Sequence, residues 1–338
     1  MARRALSPAC LALVRAVEAA VPPGLAATGL DRLVVALSGG ADSLALTAAI
    51  AWATLHRRGP LAGVPAEAVV VDHGLLADSA TIAQTARRQA TDLGLPARVV
   101  RVELVEAGQG LEAAARQARY AALLADPADL VVLGHTLDDQ AETVLLGLAR
   151  GSGVRSLAGM AAQAGRLVRP LLGLRHSTTE QACRDWGLEW WQDPANTDPA
   201  YTRSRLRLAL AELDRVLGPG LADGLARTAT LARRDADYLD DLAAATGIDP
   251  SQDQLAVDQL AVLPAALRQR LLLTWLRRVG ADQVGYGHVS AVDELITAWH
   301  GQKAVGTPGG AVRRLSDRLI LSPADASRAE SDRLASDR

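Results

Sequence analysis

Four short β-branched runs, Leu33–Leu37, Ala68–Asp72, Arg98–Val102 and Leu130–Gly134, alternate with longer Ala- and Leu-rich stretches across the first two hundred residues. Near-continuous apolar strands separated by helical stretches bury both of their faces, which is the pattern of a parallel sheet covered by helices. This rhythm confines the first part of the chain to an α/β fold. Ligands of such sheets bind beyond the carboxyl ends of the strands, near a switch in strand order. The first, second and fourth runs all end in polar, loop-like sequence, so those ends are where function is to be sought. From Tyr201 the rhythm changes to helix alone, with Leu206, Leu208, Leu210 and Leu213 among arginines, then Leu221–Leu242 and Ala265–Arg278. The expected division is a sheet domain over residues 1–200, a mainly helical domain over 201–321, and a disordered tail over 322–338 that lacks apolar periodicity. Within the second domain, Pro308-Gly309-Gly310 before alternating Val312, Leu315, Leu319 and Leu321 predicts a small hairpin.

Composition narrows the class. The 338 residues are 49% apolar and 22% charged, enough to bury two cores without metal or disulfide help. Cys10 and Cys183 are the only cysteines and form no CxxC, so zinc ribbons, iron–sulfur sites and redox dithiols are unsupported and a reducing cytoplasm is the expected location. Ser7-Pro8 reads as a helix N-cap with proline at N1. The uncharged run Ser43–His56 is shorter than the roughly 18 residues that a membrane span needs, so no membrane partner is expected. Lys303 is the sole lysine among 36 basic residues, so any essential cation must be a guanidinium.

The strongest local signal is Ser38-Gly39-Gly40-Ala41-Asp42-Ser43, placed between the first strand and the helical run Leu44–Leu55. Adjacent glycines let a backbone approach a ligand, the serines offer hydroxyls, and the following helix presents free N–H groups to an anion. A Walker loop would need a lysine that this stretch lacks, which disfavours transfer of a γ-phosphoryl group, and a GxGxxG fingerprint is absent. The fourth run leads into Gly134-His135-Thr136-Leu137-Asp138-Asp139-Gln140-Ala141-Glu142-Thr143. On a helix starting near His135, the residues His135, Asp138, Asp139 and Glu142 share one face. Carboxylates crowded there repel one another unless a divalent cation or a cationic ligand offsets them.

SGGADS matches the signature of the PP-loop ATP pyrophosphatases, and together with GHTLDDQAET it resembles the tRNA(Ile)-lysidine synthetases. Further pieces follow in the family's order: Val71-Asp72-His73-Gly74-Leu75; the helix from Glu112 through Arg116, Arg119 and Tyr120; Arg169-Pro170-Leu171-Leu172; Trp191-Gln192-Asp193-Pro194-Ala195-Asn196; Arg203-Ser204-Arg205-Leu206-Arg207; and the segment Val305–Leu321. These similarities span roughly residues 33 to 321 and match the short form of the family. Leu76 stands where the family often has arginine, Ala195 where it has serine, and Thr307 where it has leucine.

The resemblance implies a Rossmann-like PP-loop sheet of the adenine nucleotide alpha hydrolase-like type, followed by a helical tRNA-binding domain. It implies an enzyme, a C–N ligase that activates the wobble cytidine of the CAU anticodon of isoleucine tRNA with ATP, releases pyrophosphate, and lets free lysine displace AMP. On that basis Ser38, Gly39, Gly40, Ala41, Asp42 and Ser43 are expected to hold ATP, with Asp72, His73, Gly134 and His135. Mg2+ is expected on Asp42 with Asp139, or with Asp138. Asp138, Asp139 and Glu142 are the expected lysine ligands. Arg116 and Arg207 join Asp42, Asp138 and Asp139 as catalytic groups, and Arg119, Arg203, Arg207 and Trp191 are expected to contact tRNA. The Trp190-Trp191 pair divides between base stacking and core, with core favoured for at least one. Asp193, Pro194 and Asn196 are expected to form a turn joining the domains. A homodimer remains open.

Rival readings are weaker on the same residues. A tRNA 2-thiolation enzyme shares the adenylation but typically uses catalytic or cluster-binding cysteines. GMP, NAD and asparagine synthetases share the loop without the later motifs. A nonenzymatic nucleotide-binding module would not be expected to carry the acidic GHTLDDQAET stretch. The formal charge of −2 argues mildly against RNA only until it is divided along the chain. Seven arginines face three acids between residues 201 and 234, seven aspartates and no cation follow over 235–258, and residues 265–318 carry eight basic groups against four acidic ones. The neutrality is a sum of segments of opposite sign, and the basic ones suit a phosphate backbone.

Overall fold

The computed structural model describes residues 6–22, 29–55, 59–104, 110–151, 153–196, 198, 200 and 202–323; the side chains of Glu112 and Asp282 are also outside the description. The chain divides into two compact units, one of residues 1–146 and 159–227, the other of residues 147–158 and 228–338. This differs from the division expected at residue 200. The helix α8 (Thr202–Leu217) falls with the sheet, because the Ser204 hydroxyl donates to the Ala195 carbonyl (2.6 Å) and Arg207 pairs with Glu142 (2.8 Å). Tyr201, where the boundary was expected, lies outside the described residues.

The first unit is built on β1 (Arg32–Ala36), β2 (Ala66–Asp72), β3 (Ala97–Arg101), β4 (Asp129–Val132), β5 (Gln163–Ala164) and β6 (Leu167–Val168), in the order β3-β2-β1-β4-β6-β5. All neighbouring pairs are parallel except β5 with β6. The four expected strands are present within two residues of their expected bounds. Val35 pairs with Ala68 on one side and Val132 on the other, so strand order reverses at β1. Leu33 and Val35 pack into a core with Leu13, Val17, Leu44, Ile50 and Cys183, while Val34 meets Val69, Leu123 and Val131 on the opposite face. The alternation follows from the two-residue period of a strand.

Three helices cover the first face. The helix α1 (Pro8–Ala20) starts as expected, with the Ser7 hydroxyl accepting from the Cys10 N–H (3.2 Å) and proline at its first turn. The helix α2 (Ala41–Leu55) has every residue from Ser43 to Ala51 buried, which explains its lack of a polar stripe, and α7 (His176–Trp186) packs against both. The helices α3 (Ser79–Asp92), α4 (Leu111–Leu123) and α5 (Leu137–Ala149) follow β2, β3 and β4, and the short α6 (Val154–Leu157) belongs to the second unit.

The second unit contains most of α9 (Leu221–Ala244), then α10 (Val257–Ala261), α11 (Ala265–Gly280) and α12 (Tyr286–Thr297). It is mainly helical, as expected, and its sheet is larger than the expected hairpin. The hairpin of β9 (Gly310–Leu315) and β10 (Arg318–Pro323) is extended by β7 (Gln254–Ala256) and β8 (Val305–Thr307) into a four-stranded antiparallel sheet, order β7-β10-β9-β8. Ser322 and Pro323 pair with Ala311 and Gly310, so they belong to β10 and not to the expected tail, whose remainder, residues 324–338, lies outside the described residues. The sheet packs on Trp275, fully buried, whose indole N–H donates to the Gln252 carbonyl (2.7 Å). Gly309 (φ +75°) sits where a Cβ would stand 2.1 Å from the Val279 carbonyl oxygen, so the Pro-Gly-Gly element exists to let a turn lie directly on the end of α11.

Arg268 and Asp293 form an ion pair buried in this second core, with Gln269 donating to the same carboxylate (3.0 Å). Asp293→Ala strands the guanidinium, and is expected to lower stability by about 3–5 kcal/mol in urea unfolding. Burial pushes the Cys183 thiol up to about 12 and that of Cys10 upward as well. Neither thiol of the native protein should react with a disulfide reagent at pH 8, and both should react once the chain is unfolded.

Candidate active site

The loop after β1 is organised by hydroxyls and positive φ. The Ser43 hydroxyl donates to the Gly40 carbonyl (3.0 Å) and accepts from the Ser38 N–H (3.1 Å), with the Ser38 hydroxyl also 3.1 Å away. Gly39 (φ +91°) lies over α3, where a Cβ would be 3.4 Å from that of Ala86, and its carbonyl accepts from the Trp191 N–H (2.9 Å). The loop thus curls over the first turn of α2, where unpaired N–H groups favour an anion. At the switch point the loop after β4 closes on it. A Cβ on Gly134 would stand 3.1 Å from the Asp42 carbonyl oxygen and 3.2 Å from the Ser43 nitrogen, tight enough that the facing backbone would have to shift by a few tenths of an ångström.

Asp42, at the start of α2, reaches α7. Its Oδ1 is 2.8 Å from His176 Nδ1 and also accepts from the Thr179 hydroxyl. That hydrogen bond holds the His176 imidazole above its usual pKa, against the effect of burial. Asp138 grips the same helix start, accepting from the His176 N–H (2.7 Å) and pairing with Arg175 (3.0 Å).

The helix α5 begins at Leu137, so His135 precedes it and the expected common face of four residues does not form. Thr136 and Asp139 make a reciprocal cap: the Thr136 N–H and hydroxyl donate to Asp139 Oδ2 (2.8 and 3.0 Å), and the Asp139 N–H approaches the Thr136 hydroxyl (3.4 Å). Glu142, 2% exposed, accepts from Arg207 Nε (2.8 Å); burial pushes its carboxyl up while Arg207 pulls it down. The three carboxylates of α5 therefore have separate partners, although the like charge of Asp139 still pushes the Glu142 carboxyl upward.

A cluster of guanidiniums surrounds this acidic start. Burial lowers the His135 imidazole to about 4, opposed by Asp139 and assisted by Arg169, Arg119 and Arg116. Arg116 and Arg119 lie 5.2 and 5.6 Å from the Tyr120 ring centroid. Burial also lowers the Arg119 guanidinium, and Arg116 and Arg203 add repulsion. His73 is lowered by burial, and Asp72, 6% exposed, spends Oδ1 on the Gly74 N–H (2.9 Å).

The structure brings Asp42 and Asp138 onto one helix start, and His135, Asp139 and Glu142 among Arg116, Arg119, Arg203 and Arg207. Trp190 packs on the core with Arg184 5.9 Å from its ring, while Trp191 meets the loop through its backbone. Asp193 caps the 3-10 turn Pro194–Asn196 through the Ala195 N–H (2.9 Å). Sequence reasoning missed Arg175, His176 and Thr179, although they follow directly on the quoted Arg169–Leu172 motif. Thr136 inside GHTLDD was a readable capping signal.

This parallel sheet, with a glycine–serine anion loop at its switch point, defines a PP-loop nucleotide-binding protein, and the family model of the PP-loop domain matches residues 13–213. A second family model, the TilS substrate binding domain, matches residues 255–320. The tRNA(Ile)-lysidine synthase of Mycobacterium tuberculosis (strain ATCC 25618 / H37Rv) is 48% identical over 304 residues, covering 87% of this chain and 89% of that protein. The tRNA(Ile)-lysidine synthase of Rhodococcus erythropolis is 47% identical over 332 residues, covering 95% and 98%. The chain belongs to the tRNA(Ile)-lysidine synthase family. Among solved structures, the U34-tRNA thiolase NcsA from Methanococcus maripaludis superposes with a TM-score of 0.53 at 17% identity, over 67% of this chain and 80% of that one, a likeness of fold alone.

Because Gly134 sets the spacing of the two loops, Gly134→Ala should raise KM for ATP about tenfold or more in a pyrophosphate-release assay, as displaced reacting groups do.

Proposed function

We propose that this chain ligates free lysine to C2 of the wobble cytidine in the CAU anticodon of isoleucine tRNA, through an adenylated tRNA, releasing pyrophosphate and then AMP. One observation carries the reading: the Gly134 contact with Asp42 and Ser43 joins a pyrophosphate-type loop to an acidic helix start ringed by arginines. The first half needs an anion cradle, and the second needs carboxylates beside cations. ATP use is supported by the PP-loop domain, and tRNA as substrate by the substrate binding domain and the named relatives.

In the adenylation step, Ser38, Gly39, Gly40, Ala41 and Ser43 hold the departing pyrophosphate by N–H groups and hydroxyls, where charge accumulates in the transition state. Asp72 and His73 at the end of β2, with Gly134 and His135, border the nucleoside. Arg116 and Arg207 stabilise charge on the α-phosphate and on departing AMP, a task that planar guanidiniums suit. The lysine amine must attack in its neutral form, so a carboxylate that binds the ammonium and accepts its proton serves both binding and catalysis. Asp139 takes that role, with Asp138 and Glu142 near the substrate, while Arg119, Arg203 and Trp191 contact the tRNA.

Mg2+ normally takes one or two carboxylates together with phosphate oxygens and waters. Asp42 and Asp139 fit that limited share: their described hydrogen bonds fall on Oδ1 and Oδ2 respectively, which leaves one oxygen of each for a cation carried with ATP. Among the described residues no three His, Cys, Asp or Glu side chains group as a metal site, so the phosphates would supply the remaining ligands. Bound there, the metal would neutralise phosphate charge.

The test incubates the protein with ATP, labelled lysine and a CAU-anticodon isoleucine tRNA transcript and measures lysine in RNA. Transfer is expected, and a methionine tRNA with the same anticodon reports on discrimination. Pyrophosphate release with a different acceptor and no lysine transfer would support another synthetase. Asp139→Asn should reduce turnover by about 10²-fold or more, in the range of lost acid–base groups; unchanged turnover with normal lysine and ATP binding would remove Asp139 from the mechanism.

A further inference from the structure

Among the described residues, Arg169 is a buried cation without a counter-ion. It follows β6, beside the carboxyl end of β4, where the Leu133 N–H donates to the Val168 carbonyl (2.8 Å). Its backbone N–H donates to the Ala162 carbonyl and its Nη1 to the Ala161 carbonyl, both at 2.8 Å. The residue is 8% exposed, and its Nε is buried with no partner. Among the described residues no carboxylate pairs with it. Burying a guanidinium this way is costly unless an anion arrives to complete it.

Two further buried nitrogens without partners lie in the same electrostatic neighbourhood, Arg119 Nε and His135 Nδ1. His135 lies in the loop between β4 and the acidic start of α5, next to the strand that Arg169 follows, and the charges of Arg169, Arg119 and Asp139 all act on its ring. Cation and carboxylate side by side form the complement of a zwitterion.

We propose that Arg169 binds the α-carboxylate of free lysine, and so makes the enzyme select an amino acid over a simple diamine. The assignment rests on the lysine-transfer reading above. The pyrophosphate already has the loop after β1. Arg116 and Arg203 are exposed, as suits a polyanionic backbone, whereas Arg169 is enclosed and fits a small planar oxyanion. Carboxylates at Asp139 and Glu142 take the α-ammonium beside that carboxylate and the ε-amine at the far end of the side chain. Cadaverine carries the same terminal amine as lysine but lacks the carboxylate. Without an anion contact such diamines would compete at the nucleophile site.

The experiment compares lysine with cadaverine as acceptors of the same adenylated tRNA, in wild type, Arg169→Gln and Arg169→Lys. Wild type is expected to prefer lysine by roughly 30-fold or more in kcat/KM, the scale of one charged hydrogen-bonding contact. In Arg169→Gln the lysine value should fall by a similar factor through KM, with cadaverine changed by less than about threefold, and Arg169→Lys should recover part of the preference. Pyrophosphate release from ATP and tRNA without lysine should stay at the wild-type rate, which also reports that the variant is folded. Equal use of lysine and cadaverine by wild type overturns the proposal whatever the variants do. So does an Arg169→Gln enzyme that keeps its preference while its KM for ATP or tRNA rises, since the bound oxyanion would then be a phosphate. Failure of wild type to transfer lysine at all would instead defeat the functional reading.

Discussion

The first unit depends on a close approach of two backbones. At the reversal of strand order between β1 and β4, Gly134 lies against the peptide of Asp42 and Ser43, where a Cβ would be crowded at 3.1 Å. Everything chemical in the unit is measured from that contact. The loop that follows β1 turns into α2, the loop that follows β4 turns into α5, and the two acidic helix starts come to face α7 and the arginines of α4 and α8. A side chain inserted there would separate the anion cradle from the carboxylates, and neither half is useful alone.

Parts of this were legible in the sequence because they are local. β-branched runs mark strands, Ser7-Pro8 marks a helix start, and SGGADS marks a turn that must accept φ above zero at Gly39. Each depends on residues a few positions apart. Pairings across long separations were not legible. His176 and Thr179 meet Asp42 across more than 130 residues, and no period in either segment announces it. Of the expected acidic face, Asp138, Asp139 and Glu142 do lie on α5, while His135 precedes it; what the sequence did not show is that Asp139 is taken by Thr136 and Glu142 by Arg207, 65 residues away.

The second unit shows the same limit in a different form. The turn Pro308–Gly310 was readable as a hairpin, but β7 and β8 are three residues each and carry no alternation long enough to detect. They exist because β10 and β9 offer unpaired edges, and an edge strand recruits whatever short extended segment lies beside it. The second core then closes around Trp275 and the Arg268–Asp293 pair, whose burial is tolerable only because both charges are present.

The cations around His135 are all arginine, and Lys303, exposed ahead of β8, is the chain's one lysine. A guanidinium stays protonated at any pH the protein meets and so is no nucleophile. In the proposed reaction an adenylated base is an electrophile that any neutral amine within reach would capture. A pocket whose positive charge comes from arginine attracts phosphate as strongly as one built from lysine, yet its cations offer the activated RNA no amine. In that reaction no cation of the site would compete with the amine that arrives from solution.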